Sequence, residues 1–139
     1  GVVDNARQAA TPWRTLDPLS TPVAFHEGMA HLQLGAPDAA IACLERARAH
    51  NPNRMQILNN LGVAYAGVGR RDRAIACFGL VTDRYPNHVE GFVNLATCHL
   101  EEGRPAEAVA CLERVPATLQ NDAIRGLLAR ARAALAAGQ

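Results

Sequence analysis

The sequence predicts an all-α fold assembled from consecutive antiparallel helix pairs, and three observations carry that prediction. A 34-residue self-similarity runs along most of the chain: Cys43, Cys77 and Cys111 stand one period apart, and Ala40-Ile41-Ala42-Cys43-Leu44 is echoed by Ala74-Ile75-Ala76-Cys77-Phe78 and by Ala108-Val109-Ala110-Cys111-Leu112. Within each period the apolar residues recur at three- and four-residue steps, which is the spacing of one helical face. Of the 139 residues, 49% are hydrophobic but only 4% aromatic, with Ala and Leu dominant, and that composition favours helix over strand.

The elements follow in order. Residues 1–20 sit one period ahead of the first clear repeat, with Asp4 before Asp38, Ala6 before Ala40 and Pro18 before Pro52. Thr11-Pro12 interrupts any long helix there, because an internal proline costs about 3 kcal/mol. A short helix at 3–10, then extended chain to Pro18 with Trp13 packed on the first repeat, is the expectation. The first repeat, 21–54, should hold helices at 21–34 and 38–50. The second, 55–88, should hold them at 55–68 and 72–84, and the third, 89–122, at 89–102 and 106–115. A last helix near 122–137, within a closing segment 123–139, carries Ile124, Leu127, Leu128, Ala131 and Leu135 on one face. Arg130 falls by count in the column of Gly28 and Gly62, so this helix reads as the solvating cap a helical stack requires.

The punctuation agrees. Gly35, Gly69 and Gly103 recur one period apart between the helices of each pair, where a left-handed residue can end a helix. Asp38 and Asp72 are candidates to cap the second helices, and Asn121-Asp122 the last one. Pro37 and Pro105 fall at helix starts, where the missing N–H costs little. Pro52 and Pro86 fall after helix ends. The column Gly28/Gly62/Ala96 is small, as is Ala40/Ala74/Ala108, so the two helices of a pair can approach closely.

Taken together, this period and Leu58, Leu61-Gly62, Tyr65, Gly69, Ala74, Phe78 and Pro86 resemble the tetratricopeptide repeat (TPR) over about 21–122. The first copy departs in Ala24 and Glu27, where large apolar residues are usual, and the third has Gln120 in place of the closing proline. The resemblance implies a right-handed superhelical solenoid of three full repeats plus a capping helix. It also implies a concave groove lined mainly by first helices. Its candidate binding residues are Phe25, Met29 and Gln33 in the first repeat, then Gln56, Asn59, Asn60 and Val63, with Ala66, in the second. In the third they are Glu90, Val93, Asn94, Thr97 and Glu101, with Ile124 and Leu127 extending the surface.

Asn60 and Asn94 share a column, and an amide offers both a donor and an acceptor to an extended peptide backbone. They are therefore expected to form a ladder facing water, beside a groove whose plain charges are Glu90 and Glu101. Chaperone-adaptor members of the family hold a carboxylate tail with basic side chains. The positions that would bear that clamp are here Phe25, Met29, Asn60, Glu90 and Asn94, and only Asn60 fits.

Other function classes find little support. The formal net charge is +1 and the densest basic spot is Arg70, Arg71 and Arg73, whereas nucleic-acid and membrane-surface binders carry a larger basic excess. No apolar run approaches the roughly 18–20 residues needed to cross a bilayer. Neither CxxC nor His-x3-His ligand spacing occurs. The cysteine column spaces Cys43, Cys77 and Cys111 too widely for mutual disulfides, so these and Cys98 are expected as buried free thiols. His31 and His99 share the column of Tyr65 and are expected to pack. Gly67-Val68-Gly69 lacks the strand and Lys-Ser/Thr of a phosphate loop.

No catalytic residue, metal or cofactor is assigned. A start at Gly1 rather than Met is expected of a processed chain or a segment of a longer protein. The expected role is a protein-interaction scaffold taking a peptide or partner segment in the groove. The alternative is an assembly module of a larger, membrane-anchored envelope or glycan-assembly protein, self-associating through the open ends of the stack. A cytoplasmic setting is favoured, with a periplasmic one open for such a parent.

Overall fold

The structure, a computed structural model, describes residues 21–138. The helix expected at 3–10 and the packing of Trp13 lie outside the described residues. Among those described there are seven α-helices and no strand: α1 Thr21–Gln33, α2 Pro37–His50, α3 Met55–Gly67, α4 Arg71–Arg84, α5 Val89–Glu101, α6 Pro105–Glu113 and α7 Asp122–Ala137, with a 3₁₀ turn at Ala117–Leu119 before α7. Each helix packs mainly on its neighbours in sequence, and the first helices also touch one another in the series α1, α3, α5 and α7. That is the stacking of a solenoid, in which each pair buries its apolar face against the next.

The glycine punctuation works as expected. Gly35, Gly69 and Gly103 have φ of 72°, 80° and 72°. At each, the following N–H reaches back over the turn, Ala36 to the His31 carbonyl at 2.8 Å, Arg70 to Tyr65 at 2.9 Å and Arg104 to His99 at 2.8 Å. The glycine N–H itself bonds the carbonyl three residues earlier, so both orphan carbonyls are satisfied. The aspartates behave differently. The N-cap positions of α2 and α4 are Ala36 and Arg70, and neither helix has a side-chain cap bond. Asp38 and Asp72 stand one step inside the first turn, where their charge favours the helix dipole but their oxygens do not cap. Asn121 does cap α7, accepting the Ile124 N–H at 2.9 Å.

The core is one continuous seam through Leu44, Ile57, Leu61, Phe78, Phe92, Leu112 and Ile124. The small column is where each pair closes. A Cβ built on Gly28 would lie 2.6 Å from Leu44 Cγ, and one on Gly62 would lie 2.5 Å from Phe78 Cε1. Ala24 is wholly buried, and Glu27 is accommodated by an ion pair with Arg46 at 3.2 Å. Cys43, Cys77, Cys98 and Cys111 are all buried free thiols. Burial pushes Cys98 and Cys111 up to about 11.

The end of the stack departs from simple periodicity. α6 has nine residues against fourteen in α2 and α4, because Pro116 bars continuation of the helix. The link through the 3₁₀ turn resets the phase of α7. Ile124 is therefore fully buried in the core and does not extend the groove, and Leu127 is half-buried against that core. Arg130 is exposed, in keeping with a solvating terminal helix.

Candidate functional site: the face of the first helices

The period places the predicted groove residues along α1, α3 and α5, and the structure sorts them by exposure. Gln33, Gln56, Val63, Glu90 and Glu101 are exposed, while Phe25, Met29, Asn59, Asn60, Val93, Asn94 and Thr97 are half-buried. Val63 matters most, because at 43% exposure it is one of two large apolar side chains left in water among the described residues. The other, Leu34, sits at the α1–α2 turn.

Between α3 and α5 the side chains leave a recess of about 180 Å³, lined by Val63, Ala66, Phe78, Asn94, Thr97, Cys98 and Glu101. Five of these, Val63, Ala66, Asn94, Thr97 and Glu101, are predicted groove residues that the fold brings together. Phe78 and Cys98 read in the sequence only as core, and Phe78 belongs to a second helix. It reaches the recess because Gly62 has no side chain to cover its ring. Phe25, Met29 and Gln33 lie away from this recess on α1. The Arg54 guanidinium stands 5.2 Å from the Phe25 ring centroid and its Nε donates to Gln56 Oε1 at 3.4 Å. Arg54 was missed as a groove residue; its place just before α3, two residues from Gln56, was the available signal.

The amide ladder takes a different form from the one expected. Asn94 Nδ2 donates to Asn59 Oδ1 at 3.2 Å, across the α3–α5 junction, and Asn60 Nδ2 turns back to the Gln56 carbonyl at 2.7 Å. The pairing Asn60–Asn94 is not made, because residues one period apart are offset by the twist between repeats. These amides are half-buried and already bonded rather than facing water unpaired. Glu101 is likewise not a plain charge: its Oε2 accepts from Arg71 Nε at 2.8 Å, and Arg71 also reaches Glu102 at 3.4 Å. The two carboxylates hold the Arg71 pKa up. Arg70 and Arg73 lie over the Tyr65 ring, so the basic triplet of the sequence is engaged within the fold.

His31 and His99 are half-buried in the Tyr65 column. Burial holds the His99 pKa below its ordinary value, and its Nδ1 is buried without a partner. Tyr65 donates to Glu45 Oε1 at 3.0 Å. Among the described residues no group of three or more His, Cys, Asp or Glu is placed to hold a metal ion, and no helix is long and apolar enough to cross a membrane.

These helices and their columns define a class of helix-pair repeat, and comparison gives the family. A family model described as tetratricopeptide repeat matches residues 31–92 and again 69–132. This chain belongs to the tetratricopeptide-repeat family. No curated protein matches it in sequence. Solved structures with the same fold include the Sgt2 TPR domain from Aspergillus fumigatus, at TM-score 0.74 and 18% identity over 84% of this chain and 79% of that one. The first TPR of Spaghetti (RPAP3) bound to the HSP90 peptide SRMEEVD superposes at TM-score 0.75 and 20% identity, covering 84% of this chain and 93% of that one. MamA (AMB-1) does so at 0.72 and 24%, covering 84% and 69%.

Proposed function

We propose that this chain is a protein-interaction scaffold that takes an extended or helical segment of a partner protein along the face of α1, α3 and α5, with no catalytic step of its own. The observation that carries the reading is the exposed Val63 at the mouth of an apolar recess, set among amides and carboxylates on one face. An apolar recess with a few polar groups converging on its rim is the usual form of a binding site. Two proteins of the same fold give the reading support, since the first TPR of Spaghetti is solved with an HSP90 peptide and TPR2B of yeast Sti1 with pHsp70. An acidic chaperone tail is not the ligand proposed here. The positions that would clamp its carboxylates are Phe25, Met29, Asn60, Glu90 and Asn94, which offer no cation.

The experiment is affinity capture of a partner followed by calorimetry, comparing the wild type with Asn60→Ala/Asn94→Ala. Each amide keeps its second N–H and its Oδ1 beyond the bond it makes within the fold, and ligand hydrogen bonds of about 0.5–1.5 kcal/mol each predict a loss of about tenfold in affinity. Far-UV circular dichroism checks the fold. Unchanged affinity in a folded variant rejects the groove. If sedimentation then shows concentration-dependent self-association, end-to-end assembly replaces the groove as the function.

A further inference from the structure

We infer that the recess between α3 and α5 is a selectivity pocket for one aliphatic side chain that is followed or preceded in the bound peptide by Lys or Arg. The inference rests on the groove reading above and deepens it by naming the chemistry of the ligand. The recess, at about 180 Å³, falls well below the roughly 300–1,000 Å³ of small-molecule sites. It holds the volume of about six waters at roughly 30 Å³ each, which suits one branched aliphatic side chain and not a cofactor. Phe78, 2% exposed, and Cys98, 3% exposed, present apolar surface to it. Val63 at its mouth gains a partner only when something apolar enters. The Thr97 hydroxyl does not demand a polar guest, because it already donates to the Val93 carbonyl at 2.8 Å.

Charge complementarity decides the neighbour of that side chain. Glu101 forms one wall of the recess and shares a single cation, Arg71, with Glu102, so the three groups sum to −1. Glu90 stands exposed on the same face of α5, three turns away, and adds a second negative charge. The remaining groove-facing residues of α5, Val93, Asn94 and Thr97, are neutral. The groove's cation, Arg54, is at the far end over Phe25. An acidic residue beside the anchor would face Glu101 across a short gap, whereas Lys or Arg would meet the carboxylate oxygen that Arg71 leaves open. This polarity is the reverse of what an acidic tail needs.

A random-heptapeptide phage library selected on the full chain is the test. Selected sequences are expected to share Leu, Ile, Val or Met next to Lys or Arg. In the synthetic consensus peptide, anchor→Ala should lose about thirtyfold in affinity, from burial of one aliphatic side chain. Replacing the basic residue by Glu should lose about tenfold, an attraction turned into a repulsion at an exposed site. On the protein, Ala66→Trp fills the recess and should abolish binding of the consensus peptide. Glu101→Lys, at an exposed site that leaves the core intact, should turn a repeated selection towards Asp or Glu beside the anchor. Peptides that lack the aliphatic–basic pair, yet lose affinity with Asn94→Ala, would overturn the pocket and leave the groove reading standing. No enriched sequence, or enriched peptides indifferent to Ala66→Trp, Glu101→Lys and Asn94→Ala alike, would overturn both.

Discussion

Gly62→Ala, a single added methyl group, tests how tightly the helix pair of the second repeat closes. The added Cβ would lie 2.5, 2.6 and 2.8 Å from three carbons of the Phe78 ring, against 3.4–4 Å in ordinary contact. Phe78 is 2% exposed, so α3 and α4 must part or the ring must leave its rotamer towards the recess it lines. Overpacking of this kind costs about 1–3 kcal/mol. Against it stands the helix-propensity gain of Gly→Ala, about 1 kcal/mol. The net expectation is destabilisation by about 0–2 kcal/mol. Gly79→Ala and Gly126→Ala are the controls. Both glycines lie inside helices, and an added Cβ at either meets nothing within 4 Å. Those variants should gain about 0.5–1 kcal/mol, so one chemical change takes opposite signs at different sites.

The equivalent pairs show how to relieve the clash. Gly28 faces Leu44, and Ala96 with Leu112 holds the same places in the third repeat. Gly62→Ala/Phe78→Leu, which recreates that third-repeat pair, should recover at least about 1 kcal/mol relative to the sum of the single changes. Urea unfolding followed by far-UV circular dichroism measures all six proteins, the wild type and the Phe78→Leu single variant included. A Gly62→Ala variant as stabilised as Gly79→Ala would refute the close contact, and so would additivity in the double variant.

The remaining expectations concern pH and the turns. Cys98 and Cys111 should resist alkylation at neutral pH until the chain unfolds, since burial lifts them from 9.0 to about 11; rapid labelling of the native protein, read by mass spectrometry, would contradict their burial. The same shift makes stability fall as pH rises from about 9 towards 11, because there the unfolded thiols lose protons that the folded ones keep. Cys98→Ala/Cys111→Ala should flatten that decline in urea midpoints. His99 works in the opposite direction: its folded value lies below 6.5, so stability should fall as pH drops below about 6.5, and His99→Phe should reduce this acid loss, with equal slopes in both proteins counting against it. Gly69→Val, at φ 80°, should cost about 1–2 kcal/mol or more from left-handed strain alone, and an unchanged thermal melt would contradict that backbone conformation.

The sequence by itself determined the helices, because helix position depends on local chemistry. The 34-residue period, the three-four spacing and the glycines at 35, 69 and 103 place α1–α5 within one residue of their observed ends. The closing glycine turns need only their own backbone. Tertiary structure decided what the side chains meet. Asp38 and Asp72 occupy a cap-like place in the sequence, yet Ala36 and Arg70 take the cap because the glycine turn enters the helix two residues earlier than the aspartates require.

The groove was legible as a set of columns on first helices, but not as a site. Asn94 meets Asn59 rather than its column mate Asn60, Arg71 from a second helix takes up Glu101, and Phe78 floors a recess whose rim is all that the columns identify. Periodicity gives each residue its angle on its own helix. The twist and offset between stacked repeats then choose which neighbour that angle points to, and those come from side-chain packing summed over the whole seam.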